Sequence, residues 1–234
     1  MQVTASFEVQ EFAPEDLLGP LNTAESKFAP KALYVIGDEA LLRSGRRVSV
    51  VGTRAASPDE TKRVRKLVRS LVSHGVTVVS GLAAGIDTVA HSTAIELGGR
   101  TVAVLGTPAD RAYPSANRDL HQTIASAHCV VSQFPAGSPT RRGNFPMRNK
   151  TMALLSDATV IVAVGETSGT AHQGWEALRL GRDLLVLESL ANRGYAWTDK
   201  LRRYGAGVLS DKNLEIWLDS LPERIVLDDA ALAF

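Results

Sequence analysis

The sequence predicts an α/β protein built on a doubly wound, mostly parallel sheet. Three observations carry that reading. Short β-branched runs stand at Val48-Ser49-Val50-Val51, Val76-Thr77-Val78-Val79 and Thr101-Val102-Ala103-Val104-Leu105. Helical lengths separate them, which reads as βαβαβ with parallel strands. Each run breaks at glycine: in Gly52-Thr53-Arg54, in the stretch from Ser80 and Gly81 to Asp87, and in Gly106-Thr107. Loops leaving the carboxyl ends of such strands collect on one edge of the sheet, and ligands bind there. Those three glycine-containing loops are therefore expected to be neighbours.

The remaining elements follow in chain order. Residues 1–45 form an N-terminal extension packed on the core. Pro14 is placed to open a short helix, and Lys31 to Gly37 reads as a strand or extended piece. The main domain runs over 46–222. From Pro58 to His74, Val64, Leu67, Val68, Leu71 and Val72 make an apolar stripe, with Ser57-Pro58-Asp59-Glu60 as its N-terminal signal. Lys62, Arg63, Arg65, Lys66 and Arg69 lie mostly on other faces, and a solvated outer face explains them better than a nucleic-acid contact. The segment Gly81-Leu82-Ala83-Ala84-Gly85-Ile86-Asp87 has two glycines four apart between strand and helix. Its backbone N–H groups can face outward and hold an anion, or the segment is a tight connection without a ligand.

A polar loop holds Ala112-Tyr113-Pro114, and a helix follows from about Asn117 to Ala127. Cys129 to Ser132 is the fourth core strand. Thr140 to Lys150 has four cations and no acid. A helix is read from about Met147, with Pro146 at its start and Arg148 and Lys150 near its N-terminus, where an anion is favoured. Phe145 beside them is a ring on which a base can stack, or a core residue under a basic loop. Thr159 to Val164 is the fifth strand, and Gly165 to Thr170 leads into a helix ended by Gly181 and Arg182. Asp183 to Leu187 is the sixth strand. A helical piece around 197–203, a Gly205-Ala206-Gly207 turn and an amphipathic helix with Leu214, Ile216, Trp217 and Leu218 complete the domain. Residues 223–234 are an acidic, apolar tail.

Composition excludes several classes. A chain of 234 residues with net charge +1 has no bulk attraction to polyanions, so any anion site is a local patch. The one cysteine, Cys129, rules out an intrachain disulfide framework and a Cys-rich zinc site, and its apolar strand makes it a small hydrophobe. No apolar run reaches membrane length and no secretory pattern opens the chain, so a cytoplasmic protein without membrane contact is expected. There is no G-x-G-x-x-G after a strand, no acid closing the second strand and no G-x-x-x-x-G-K-[ST], which disfavours nicotinamide, flavin and P-loop cofactors. His91 lacks a second candidate ligand and reads as a hydrogen-bonded structural histidine. No cofactor, metal site or catalytic residue is expected.

Lined up in order, several motifs resemble the DNA-processing protein A (DprA, or Smf) family. They are Val50 to Arg54; Ser80 to Asp87 with Ala90-His91; Gly98 to Gly106; Tyr113-Pro114 with Asn117 to Leu120; Phe145 to Lys150; and Ser168-Gly169-Thr170 with Gly181-Arg182. The resemblance covers roughly residues 30 to 190. It implies an extended Rossmann-like domain that binds single-stranded DNA without strong sequence preference, forms homodimers, hands strands to the RecA recombinase during natural transformation, and is not an enzyme. It also implies that Arg54, Arg148 and Lys150 contact phosphates. Gly52, Thr53, Ser80, Gly81, Gly85, Ser168, Gly169 and Thr170 would line the same pocket, with Phe145 and Asn149 beside them.

The chain departs from the family pattern at Ala84, where arginine is usual, at Gln133 in place of an acid, at Gln173-Gly174 in place of Thr-Ala, and at Glu188-Ser189 in place of Pro-Gly. A rival from another class is a nucleotide sensor or nucleotide N-glycosidase of the related lysine-decarboxylase-like group. Its P-G-G-x-G-T-x-x-E segment puts Gln173 where the acid is needed, and an amide is no general base. Glu166 and Glu176 lack the spacing to replace it.

Overall fold

The computed structural model describes residues 7–164 and 170–225, without the side chains of 170–172, 224 and 225. In chain order the elements are β1 (Gln10–Phe12), α1 (Pro14–Leu18), α2 (Thr23–Phe28), β2 (Leu33–Gly37), α3 (Ala40–Arg43), β3 (Ser44–Gly45), β4 (Arg47–Gly52), α4 (Pro58–Ser73), β5 (Thr77–Ser80), α5 (Ile86–Glu96) and β6 (Thr101–Leu105). A 3-10 turn over Ser115–Asn117 leads to α6 (Arg118–Ala127), β7 (Cys129–Ser132), α7 (Asn144–Leu154), β8 (Ala158–Ala163), α8 (Thr170–Arg179) and β9 (Asp183–Leu187). The described chain closes with α9 (Glu188–Ala191), α10 (Ala196–Arg203), β10 (Gly207–Leu209), α11 (Leu214–Ser220) and β11 (Arg224–Ile225).

Nine strands form one sheet in the order β1-β2-β7-β6-β5-β4-β8-β9-β10, and β11 pairs with β3 separately. From β7 to β10 every pairing is parallel, whereas β2 joins β7 antiparallel and β1 joins β2 antiparallel. The mixed sheet is thus mostly parallel, as an extended Rossmann-like fold requires. The N-terminal segment contributes two strands to its edge.

The sheet is wound on both faces, and alternate side chains say why. Val48, Val50, Val160 and Val162 pack with Val64, Leu67, Val68 and Leu71 of α4 on one face. Val51, Val102, Val104, Val131 and Ile161 pack with Met152 and Leu154 of α7 and Ala177 of α8 on the other. Strands covered on both sides are mostly apolar, which is why they read as nearly continuous hydrophobic runs. α4 starts where the sequence places its start. Ser57 Oγ accepts from the Glu60 N–H at 3.3 Å, and Glu60 Oε2 accepts from the Ser57 N–H at 2.9 Å.

Winding reverses at β4. The chain steps from β4 outward to β7, then returns to lay β8 on the far side of β4. Crossovers on opposite faces put the switch point there, at the carboxyl ends of β4 and β8. Among the described residues no helix is long and apolar enough to cross a membrane.

Candidate functional site

The crevice is assembled by glycines that let backbones close in. At Gly52 a Cβ would collide with the Ile86 side chain and the Ala163 carbonyl. Its absence lets the Thr53 N–H reach Ala163 O at 2.6 Å and the Ile86 N–H reach Thr53 O at 3.0 Å. Gly85 has φ +81°, and a Cβ there would overlap the backbone of Thr53 and Arg54. The loop after β4 is therefore clamped between β8 and the start of α5, and Arg54 leaves it exposed to solvent.

The loop after β5 folds around an internal charge network. Asp87 is buried and accepts from the N–H groups of Gly81 at 3.2 Å and Ala83 at 3.3 Å. Burial pushes its carboxyl up, while Arg148 and those N–H donors pull the other way. This corrects the expectation that the Gly81 to Asp87 turn offers its N–H groups to an outside anion: two of them already hold the chain's own carboxylate. Ser80 is also fully buried, and its hydroxyl donates to Val50 O at 2.7 Å.

Arg148 is buried too. Its Nη1 donates to Gly81 O at 2.6 Å and Val104 O at 2.8 Å, and its Nε to Asn149 Oδ1 at 3.0 Å. Nη2 has no hydrogen-bond partner among the described residues. Arg148 therefore braces the tips of β5 and β6. Arg54 lies near enough for its charge to act on Arg148.

Phe145 completes the crevice. Its ring lies against Gly106, where a Cβ would sit 2.8 Å from Cδ1. The Tyr113 ring is 5.3 Å away, centroid to centroid, tilted by 43°. The Arg54 guanidinium carbon lies 5.8 Å from the Phe145 centroid. Phe145 is half-buried, while Tyr113 is 47 % exposed, so the aromatic pair presents one ring to solvent.

Lys150 does not join this group. Positions 148 and 150 on one helix point ~200° apart, so when Arg148 turns inward Lys150 turns away. Its Nζ sits 6.0 Å over the Phe28 ring of α2. The expected convergence of Arg54, Arg148 and Lys150 holds for the first two only. α7 also begins at Asn144, ahead of the expected start, with Pro146 in its first turn, where a missing N–H costs nothing.

Ser168 and Gly169 lie outside the described residues, as does Glu166; Thr170 opens α8, and its side chain is outside the description. Tyr113 and Asp87 are the members of the site that motif reading left without a role. The signals were an exposed aromatic beside a proline in a polar loop, and an acid closing a glycine turn. Exposed Arg141 and Arg142 lead into α7, with no ion-pair partner among the described residues, and no acid lies between Asp119 and Asp157. A nearly neutral chain thus carries a local positive field.

Other chemistry finds little support among the described residues. No group of three or more His, Cys, Asp or Glu is placed to hold a metal ion. His91 is buried, and its Nδ1 lies 2.7 Å from Thr101 Oγ1. The Thr101 hydroxyl donates its only proton to Val78 O at 2.8 Å, so His91 Nδ1 carries the hydrogen. Burial holds this imidazole's pKa down to about 3. Cys129 is buried, which pushes its thiol far up and leaves it inert. Gln173 is buried with neither amide atom bonded.

The family model of the DNA recombination-mediator protein A matches residues 13–217. The chain belongs to that family. Protein Smf of Synechocystis is 34 % identical over 218 residues, covering 91 % of this chain and 55 % of the relative. DNA processing protein A of Streptococcus pneumoniae superposes with a TM-score of 0.76 at 30 % identity, covering 90 % of this chain and 74 % of that one. The same protein from Helicobacter pylori, whose structure was described for its single-stranded DNA binding mode, also gives 0.76, at 27 % identity, with 92 % and 96 % covered. The chain spans 45 to 66 % of the length of the curated relatives it matches. The match includes every described residue of the crevice, from Gly52 to Ala163.

Proposed function

We propose that this chain binds single-stranded DNA without sequence preference, in the crevice at the carboxyl edge of β4, β5 and β6. The observation that carries the reading is the Arg54 guanidinium 5.8 Å from the Phe145 ring, with the Tyr113 ring 5.3 Å from the same ring. A guanidinium beside an aromatic platform serves a strand's two repeating features: phosphate on the cation, base on the ring. Such a site is indifferent to sequence because every base has a π-face. Arg141 and Arg142 extend the charge toward the approach to α7. Thr53 precedes Arg54 in the same loop and Asn149 accepts from Arg148, and Gly52, Ser80, Gly81 and Gly85 shape the floor. The Helicobacter relative's single-strand binding mode supports the same reading.

Within this proposal the chain acts as a binding protein and not an enzyme, dimerises, and passes its strand to a RecA-type recombinase in the cytoplasm. These finer roles rest on the family resemblance. The N-glycosidase alternative requires a carboxylate where this chain has Gln173.

The test is fluorescence anisotropy of labelled oligo-dT at low ionic strength, with wild type and Arg54→Ala. Binding that weakens with salt and with loss of Arg54 is expected. No anisotropy change for wild type even at low salt would sink the proposal.

A further inference from the structure

A second cavity opens on the same edge of the sheet, where β9 and β10 end. It has a volume of about 250 Å³. Buried Leu67, Leu209 and Leu214 contribute its apolar lining, while Arg63 of α4 and Glu188 of α9 border it from different elements. Lys66, also at the rim, is already held by Asp211 at 2.6 Å. Arg63 and Glu188 make no side-chain hydrogen bond or ion pair with any described residue, nor with each other. Two opposite charges share one cavity and stay apart.

That arrangement suits a ligand that presents N–H donors at one end and an anion at the other, with a flat apolar body between. A carboxylate accepts two parallel N–H donors. Guanine presents such a pair, its ring N–H and its exocyclic amine, on one edge; adenine has an acceptor in place of the ring N–H. The cavity is large enough for a bicyclic base and small for a whole nucleotide, which leaves the phosphate at the rim beside Arg63. Ser189 and Ser210 add hydroxyls there.

The geometry points to a guanine subsite, with Glu188 reading the base and Arg63 holding its phosphate. The base has two sources: a free guanine nucleotide, or a base of a strand that also occupies the main crevice. The cavity lies between three and four strand spacings from β5 at the middle of that crevice, ~17 Å along the sheet edge. The strand source rests on the single-strand reading above, and the free-nucleotide source does not.

The test is calorimetric titration with GMP and AMP, run beside anisotropy with oligo-dT strands carrying guanine or adenine substitutions, on wild type, Glu188→Gln and Arg63→Ala. Both side chains are exposed, and circular dichroism checks that the variants fold. GMP binding about tenfold tighter than AMP, with the preference lost in Glu188→Gln and affinity lowered in Arg63→Ala, establishes the free-nucleotide source. No GMP binding, but a guanine preference in strands that Glu188→Gln removes, establishes the strand source. No guanine preference in either format, or one that Glu188→Gln leaves intact, overturns the inference. Unsubstituted oligo-dT in the same series reports the single-strand reading separately.

Discussion

Arg148 and Gly81 are locked together: the buried guanidinium donates through Nη1 to the Gly81 carbonyl at 2.6 Å and fills the space a Cβ on residue 81 would need. The same nitrogen reaches Val104 O, so one side chain ties the tips of β5 and β6. A motif cation thus acts mainly from beneath the crevice, and Arg54 is the one at its surface.

Gly81→Ala is expected to push Arg148 out of place and lower stability by about 1–3 kcal/mol, the usual cost of overpacking. Urea denaturation checks this. Arg148→Met strands two buried carbonyls and should cost about 2–4 kcal/mol. An unchanged midpoint for both variants would show that the brace is unimportant.

The two arginines should separate in salt titrations. Removing a phosphate contact lowers the slope of log K against log salt by ~0.7 for a single strand. Arg54→Ala is expected to show that drop, whereas Arg148→Met should weaken binding with a nearly unchanged slope. Lys150→Ala, facing Phe28, should change neither quantity appreciably.

Much of this fold could be read from the chain, because doubly covered strands are mostly apolar. The six core strands and the capping box of α4 follow from residues alone. The three-residue strands β1 and β10 did not, since so short a run carries no period. The sequence marks Gly52 and Gly85 as glycines of strand-end loops, but the clamp that brings those loops together depends on tertiary packing. The inward turn of Gly81 and Ala83 N–H groups was not visible either, because a glycine loop reads the same whether its anion is a ligand or its own Asp87. Helical spacing alone could have shown that Arg148 and Lys150 diverge, but which of the two turns inward depends on the packing of α7 against the sheet.

Stacking should be visible as a loss without charge. Phe145→Leu is expected to weaken oligo-dT binding by about 1–3 kcal/mol with the salt slope retained. Gly106→Ala, which displaces the ring, should produce a smaller loss of the same kind. Anisotropy at two salt concentrations distinguishes these from effects on charge.

His91 makes stability depend on pH. Its folded pKa, about 3, lies below the value of roughly 6.5 for an unfolded histidine. The unfolded chain therefore takes up a proton first as pH falls, and stability contributed above pH 6.5 is lost on acidification. Between pH 7 and pH 5 the loss from this residue is about 2 kcal/mol. Denaturation at both pH values checks it, and His91→Gln should flatten the dependence by that amount.

Photo-cross-linking tests the central claim most directly. A strand of 5-iodouracil-substituted oligo-dT, bound at low salt, irradiated and mapped by mass spectrometry, is expected to attach at Phe145 or Tyr113, and to lose most of that yield in Arg54→Ala. Attachment confined to a surface away from the crevice, such as Trp175 and Tyr204, would contradict the account.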